Sequence, residues 1–207
     1  MPDTLWRFID DDATFVAGNP DKVSRLYFPL ANESGMMSSI TPKLHGDIKT
    51  SQHSFLTIPV STEDLNNTLY NRNFWLYIEG CGPWSVAFGE VDETLVEAGF
   101  LWHKIIKINK KLGIKVEVLN FVPAGNETVE LMSVDIINIS KKKLKITSTL
   151  AVPIYGRSAD NLRDHRHVTS LLNRIRLAKY GVVVTPTMSF DERGHKLNEL
   201  SYFVLGC

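Results

Sequence analysis

Ile114-Lys115-Val116-Glu117-Val118 alternates apolar and charged residues one by one. A period of two places Ile114, Val116 and Val118 on one face of an extended chain and Lys115 and Glu117 on the other. That is the pattern of a strand with one face in a core and one in water. Outward from it, Pro123-Ala124-Gly125-Asn126 marks a turn, a second strand is predicted over 128–139, and Ser140-Lys141-Lys142-Lys143 turns that strand in its own right. Leu144, Ile146, Ser148, Leu150 and Val152 then alternate again, as the return arm of a hairpin. The three lysines read as the solvated tip of that hairpin in preference to an anion site, since charges at strand ends discourage edge pairing.

Strands therefore succeed one another from about 95 to 154. Phe74-Trp75-Leu76-Tyr77-Ile78, Gly181-Val182-Val183-Val184 and Leu200-Ser201-Tyr202-Phe203-Val204-Leu205 supply more. Long hairpins with alternating faces predict a mainly β chain, an antiparallel two-sheet β-sandwich with one or two short helices. Ser61-Thr62-Glu63-Asp64 has the oxygen and carboxylate spacing of a short helix start. Val168, Leu171, Leu172 and Ile175 fall at helical spacing, while Ile175, Arg176 and Leu177 suit a strand, so that segment keeps two readings. With no repeat, linker or low-complexity stretch, residues 1–207 read as a single domain. The chain stops on the strand-like run Tyr202-Phe203-Val204-Leu205-Gly206-Cys207, which reads as a cut inside a longer protein.

The 207 residues carry 23 Lys plus Arg against 23 Asp plus Glu. A net charge of zero removes the electrostatic case for nucleic acid or an anionic membrane as partner. No apolar run approaches the ~20 residues of a membrane span. The N-terminus lacks the pattern of a secretory signal, so the cytoplasm is the expected location. Cys81 and Cys207 have no paired spacing and suggest neither a disulfide framework nor a thiolate metal site.

The densest polar cluster lies between Arg157 and His167 and ends in Asp164-His165-Arg166-His167. On a strand the two imidazoles would share a face and could ligate a metal. A third ligand is missing, and Arg166 between them would repel a cation, so no metal and no other cofactor is expected. Recognition of a polar ligand by Arg157, Asp164, His165, Arg166 and His167 competes with a loop whose charges satisfy one another. In Asn71-Arg72-Asn73-Phe74-Trp75, Trp75 could stack on a sugar ring while Arg72 bonds its hydroxyls, although a Trp in an apolar strand reads first as buried core. Tyr27-Phe28-Pro29-Leu30-Ala31-Asn32-Glu33-Ser34-Gly35-Met36-Met37-Ser38-Ser39-Ile40-Thr41-Pro42 reads as a hairpin turning near Gly35, with the Met pair as core filler and no phosphate-loop ending. No nucleophile elbow or Cys-His pair occurs, and no catalytic residue is assigned.

That last stretch resembles the N-terminal region of glycoside hydrolase family 94 phosphorylases. So do Arg72-Asn73-Phe74-Trp75, Glu97-Ala98-Gly99-Phe100-Leu101-Trp102-His103 and, most specifically, the run from Tyr155 through Arg157 and His167 to Leu172. The similarity is greatest to the 1,2-β-oligoglucan phosphorylase branch, with cellobiose phosphorylase more distant. It spans about residues 15–206.

The resemblance implies an N-terminal antiparallel supersandwich, then a helical linker and an (α/α)6 barrel that holds the active centre. It implies attack of inorganic phosphate on an anomeric carbon, with inversion, in a β-glucan oligosaccharide. It also implies a homodimer, a sandwich packed on the barrel and loops sent towards the sugar site. The catalytic acid and phosphate-binding residues belong to the barrel, so none is carried onto this chain, which alone is expected to be inactive. The sandwich is shorter than the family's usual one, and an open edge or apolar face inviting self-association is expected. A free-standing carbohydrate-binding module is the alternative, marked by aromatics along exposed strand faces. Trp75, Trp84 and Trp102 are the candidates, each among apolar neighbours that favour burial. A small metal-dependent enzyme using His165 and His167 is the third.

Overall fold

The structure is a computed structural model and describes residues 5–23, 26–51, 53–65, 72–162, 172–191 and 194–207. Eighteen strands occur among them. The first six are β1 (Trp6–Phe8), β2 (Phe15–Gly18), β3 (Phe28–Ala31), β4 (Met37–Ile40), β5 (Ile48–Ser51) and β6 (Ser54–Phe55). The middle six are mostly longer: β7 (Asn73–Ile78), β8 (Gly82–Ser85), β9 (Glu93–Gly99), β10 (Trp102–Asn109), β11 (Ile114–Phe121) and β12 (Leu131–Asn138). The last six are β13 (Ile146–Ala151), β14 (Asn173–Ala178), β15 (Gly181–Pro186), β16 (Met188–Asp191), β17 (Gly194–Leu197) and β18 (Tyr202–Leu205). Two single-turn 3-10 helices, Pro20–Lys22 and Ala159–Leu162, are the helical content of the described residues.

The alternation around Ile114 builds the central layer. β9, β10, β11 and β12 pair antiparallel in chain order, and β1 and β2 extend the sheet to six strands beyond β9. Burial along β10 and β11 alternates residue by residue, so Ile105, Val116 and Val118 face inward while Lys104, Lys115 and Glu117 face out. The β10–β11 turn closes at Gly113, whose φ is 72° and whose N–H donates to the Asn109 carbonyl at 2.9 Å.

Two smaller sheets form the opposing layer, β3-β4-β5-β6 and β13-β7-β8. Leu30, Met36, Ile40 and Ile48 from the first, Leu76, Ile78 and Trp84 from the second, and Val96, Ile105, Val116 and Val118 from the six-stranded sheet make one buried cluster. This is the expected two-layer antiparallel sandwich. The hairpin expected over 27–42 is present as β3–β4, turning at Gly35. Its methionines part company: Met36 is buried in the core and Met37 is exposed on β4.

One connection corrects the expectation. β13 is not the hairpin partner of β12. It crosses to the other layer and pairs with β7 from Ile146↔Ile78 to Ala151↔Asn73. The lysine-bearing segment 139–145 is thus the corner linking the two layers, with Asn138 Nδ2 donating to the Lys142 carbonyl at 2.7 Å. The Asp64 amide does donate to the Ser61 hydroxyl at 3.3 Å, yet residues 62–65 make a turn, and residues 66–71 lie outside the described residues.

β14-β15-β18 forms a separate three-stranded sheet and β16–β17 a hairpin. Of the two readings of 168–177, the strand holds over Asn173–Ala178, and residues 168–171 lie outside the described residues. The chain reaches this sheet past an antiparallel bridge between Phe55 and Arg157. No helix among the described residues is long and apolar enough to cross a membrane.

Candidate functional site

Strand β7 carries Trp75, singled out from the sequence, and its pleat sends alternate side chains to opposite sides. Leu76 and Ile78 point into the core. Trp75 and Tyr77, on the alternate face, are 37% and 52% exposed. The expectation that Trp75 is buried is therefore corrected: both faces of β7 are apolar, and the aliphatic one won the core. Trp84 on β8 is buried, its indole N–H donating to the Glu90 carbonyl at 3.0 Å, and Trp102 is half-buried.

Register assembles the rest of the outward face. Thr149 lies opposite Trp75 and Thr147 opposite Tyr77 on β13, with Pro83 opposite Tyr77 on β8. Thr147, Thr149, Ala151 and Pro83 are all exposed. At one end Asn73 and Ser85 close the face as a buried hydrogen-bonded pair, Nδ2 to Oγ at 2.9 Å. None of these side chains carries a charge. Sequence reasoning missed Tyr77, Thr147 and Thr149, although the spacing Trp75-x-Tyr77 already puts both rings on one face of a strand.

Arg72, one step before β7, is 1% exposed and bonded throughout. Its Nε donates to Glu130 Oε1 at 2.7 Å and Nη2 to Glu130 Oε2 at 2.9 Å. Nη2 also donates to the Ser39 carbonyl at 3.1 Å, and Nη1 to the carbonyls of Gly46 at 3.1 Å and Leu44 at 3.4 Å. All five guanidinium hydrogens are thereby accounted for inside the chain, so Arg72 is a tie between layers with no donor left for sugar hydroxyls.

Arg157 is also buried; its Nη2 donates to Asn173 Oδ1 at 3.2 Å and its guanidinium lies 5.9 Å from the Tyr155 ring centre. Burial lowers its affinity for its proton. Asp164, His165, Arg166 and His167 lie outside the described residues. Among the described residues no group of three His, Cys, Asp or Glu side chains could hold a metal ion.

Other ionisable groups are buried in the sandwich. His103 faces inward on β10, opposite Asn120, with its ring 5.3 Å from that of Phe28. Neither ring nitrogen has a hydrogen-bond partner, and burial, with Arg72 nearby, pushes its pKa down to about 3. His45 is buried against Phe88, and desolvation, then the field of Lys43, pushes it down to about 4. Burial takes Lys107 down to about 8; its amine donates to the Ala87 carbonyl at 3.2 Å. These groups sit inside the sandwich, out of reach of a ligand, and act on stability.

No protein family's sequence model matches this chain. Nor does any curated protein match it. The uncharged aromatic face on β7 and β13 is accordingly the candidate that rests on the chain's own geometry.

Proposed function

We propose that this chain is the N-terminal, non-catalytic β-sandwich of a cytoplasmic β-glucan phosphorylase of the 1,2-β-oligoglucan or cellobiose type. In the whole protein, inorganic phosphate attacks the anomeric carbon, the glucosidic C–O bond breaks, and a carboxylic acid protonates the departing oxygen. Glucose 1-phosphate leaves with inverted configuration. The acid and the phosphate site belong to a barrel domain, and the sandwich supports that barrel, takes part in a homodimer and contributes to contact with the β-glucan.

The observation that supports this reading is how the resembling stretches are used. Arg72 ties its own strand to Ser39 in the 27–42 stretch, to the segment just after it at Leu44 and Gly46, and to Glu130. Arg157 bridges β6 to the C-terminal sheet. Arg72 and Arg157, two of the residues that carry the likeness, are engaged in holding sheets together, as a supporting domain requires.

A free-standing carbohydrate-binding module is the second reading, favoured by the exposure of Trp75 and Tyr77 on one strand face. The test is phosphorolysis of a panel of β-linked glucooligosaccharides by this chain alone and joined to its barrel. Glucose 1-phosphate only from the joined protein supports the proposal. Turnover by the chain alone, or by neither, overturns it.

A further inference from the structure

We propose that the outward face of β7 and β13, built by Trp75, Tyr77, Thr147 and Thr149, is a binding platform for a neutral oligosaccharide. The identity of that sugar as a β-glucan rests on the phosphorylase reading above; the platform itself rests on chemistry visible in the fold.

The two rings are exposed on one strand at i and i+2, roughly 7 Å apart along it. A ligand that stacks a separate sugar ring on each must therefore be at least a disaccharide. Aromatic faces stack on the C–H faces of sugar rings, and the hydroxyls around a sugar's rim then need donors and acceptors beside the aromatics. Those are present. The Trp75 indole N–H and the hydroxyls of Tyr77, Thr147 and Thr149 make no hydrogen bond to any described residue. By contrast the polar pair at the end of the face, Asn73 and Ser85, is satisfied internally and closes the platform.

The lack of charge selects among ligands. An oxyanion or an acidic peptide would find no cation among these four side chains, and the charges that follow in register, Lys145 and Glu79 beyond Ile146 and Ile78, are exposed and paired with each other at 3.3 Å. The exposed face of β14 is different in kind. There Ile175 and Leu177 are 68% and 81% exposed and offer aliphatic surface without donors. That surface suits a protein neighbour. The aromatic and hydroxyl-bearing face suits a polyhydroxylated ring.

The test is titration of the intact 207-residue chain with β-1,2-, β-1,3- and β-1,4-linked glucooligosaccharides, read by calorimetry and tryptophan fluorescence, with an α-1,4-linked series as control. Saturable binding of at least one β-linked series is expected, with Trp75→Ala and Tyr77→Ala each weakening it by about tenfold or more. Trp75→Phe should keep most of the affinity, and Leu177→Ser should leave it unchanged. Amide shift perturbations confined to β7 and β13 give a readout without mutation, should an alanine variant fail to fold. Absence of saturable binding, binding indifferent to both alanine variants, or a dimer that Trp75→Ala converts to monomer in place of sugar binding would each overturn the proposal. Binding by the chain without phosphorolysis by the barrel-bearing protein sinks the phosphorylase reading and leaves the platform. Phosphorolysis without binding does the reverse.

Discussion

Arg72 and Glu130 stand 58 positions apart and meet through two parallel contacts, at 2.7 and 2.9 Å, with side chains only 1% and 5% exposed. Glu130 comes from the loop between β11 and β12, and Arg72 leads into β7, so the pair joins the two layers of the sandwich. Glu130 Oε1 also accepts from Asn120 Nδ2 at 3.1 Å. Burying two charges is offset only when both are paired and their remaining positions bonded, and here the backbone carbonyls of Ser39, Leu44 and Gly46 complete the set.

Glu130→Gln leaves a buried guanidinium without its counter-charge. It should lower unfolding stability by about 3–5 kcal/mol, a large share of what a domain of this size has. Replacing both partners, as Arg72→Met with Glu130→Leu, should cost much less than either single change. Urea unfolding of Glu130→Gln, of Arg72→Met and Glu130→Leu singly, and of the double variant measures this, and additive losses in the double would refute the coupling.

Gly46 supplies one of the Arg72 acceptors from a backbone φ of 116°, and a Cβ there would strike the Ser39 carbonyl oxygen. Gly46→Ala is expected to cost at least about 2 kcal/mol, because left-handed strain and a backbone clash act together. Gly18→Ala, whose added carbon meets nothing within 4 Å, is the control. Equal midpoints for the two variants in thermal melts would contradict this.

What the sequence made legible was the period of each strand, and what it hid was partnership. Ile114, Val116 and Val118 announced the central sheet because apolar and charged residues alternate there without ambiguity. The alternation of Ile146 and Leu150 was equally clear, yet it is the same whether β13 returns beside β12 or crosses to β7. Trp75 was misplaced for a related reason. When both faces of a strand are apolar, period alone does not say which one the opposite layer will cover. Arg72 looked like a free donor because nothing local points to an acceptor 58 residues on.

His45 and His103 give the chain an acid sensitivity of definite sign. Both are neutral inside, with folded pKa values near 4 and 3 against about 6.5 when unfolded. Cations face both: Lys43, Lys107 and Arg72 for His45, and Arg72 for His103. Below pH 6.5 the unfolded chain takes up protons that the folded chain refuses, so this part of the stability is full above pH 6.5 and falls as pH falls. Each histidine contributes a slope of up to about 1.4 kcal/mol per pH unit. Between about pH 6 and 5, above the range of the depressed carboxyls of Asp10 and Glu117, the slope should be the histidines' own. His103→Leu should roughly halve it in urea titrations, and an unchanged slope would show that His103 is not buried neutral. Lys107 acts on the alkaline side: its folded pKa near 8 makes stability rise as pH climbs from 8 towards 10.5.

The open face of β14 makes a final, opposite kind of prediction, about association. Ile175 and Leu177 are exposed on the same face of β14, which among the described residues pairs with β15 alone; Leu177 lies opposite the half-buried Val182, while Val184, opposite Ile175, and Tyr202 beyond it are buried. An apolar edge of this sort is a template for pairing with a second copy, and a lysine on it is a standard deterrent. Ile175→Lys with Leu177→Lys should leave unfolding stability within about 0.5 kcal/mol, because neither side chain is part of the core. The same change should shift sedimentation towards monomer at concentrations where the unmodified chain associates. A drop in stability with no change in mass would mean that the face is covered from within the chain, and that association, where it occurs, uses another surface.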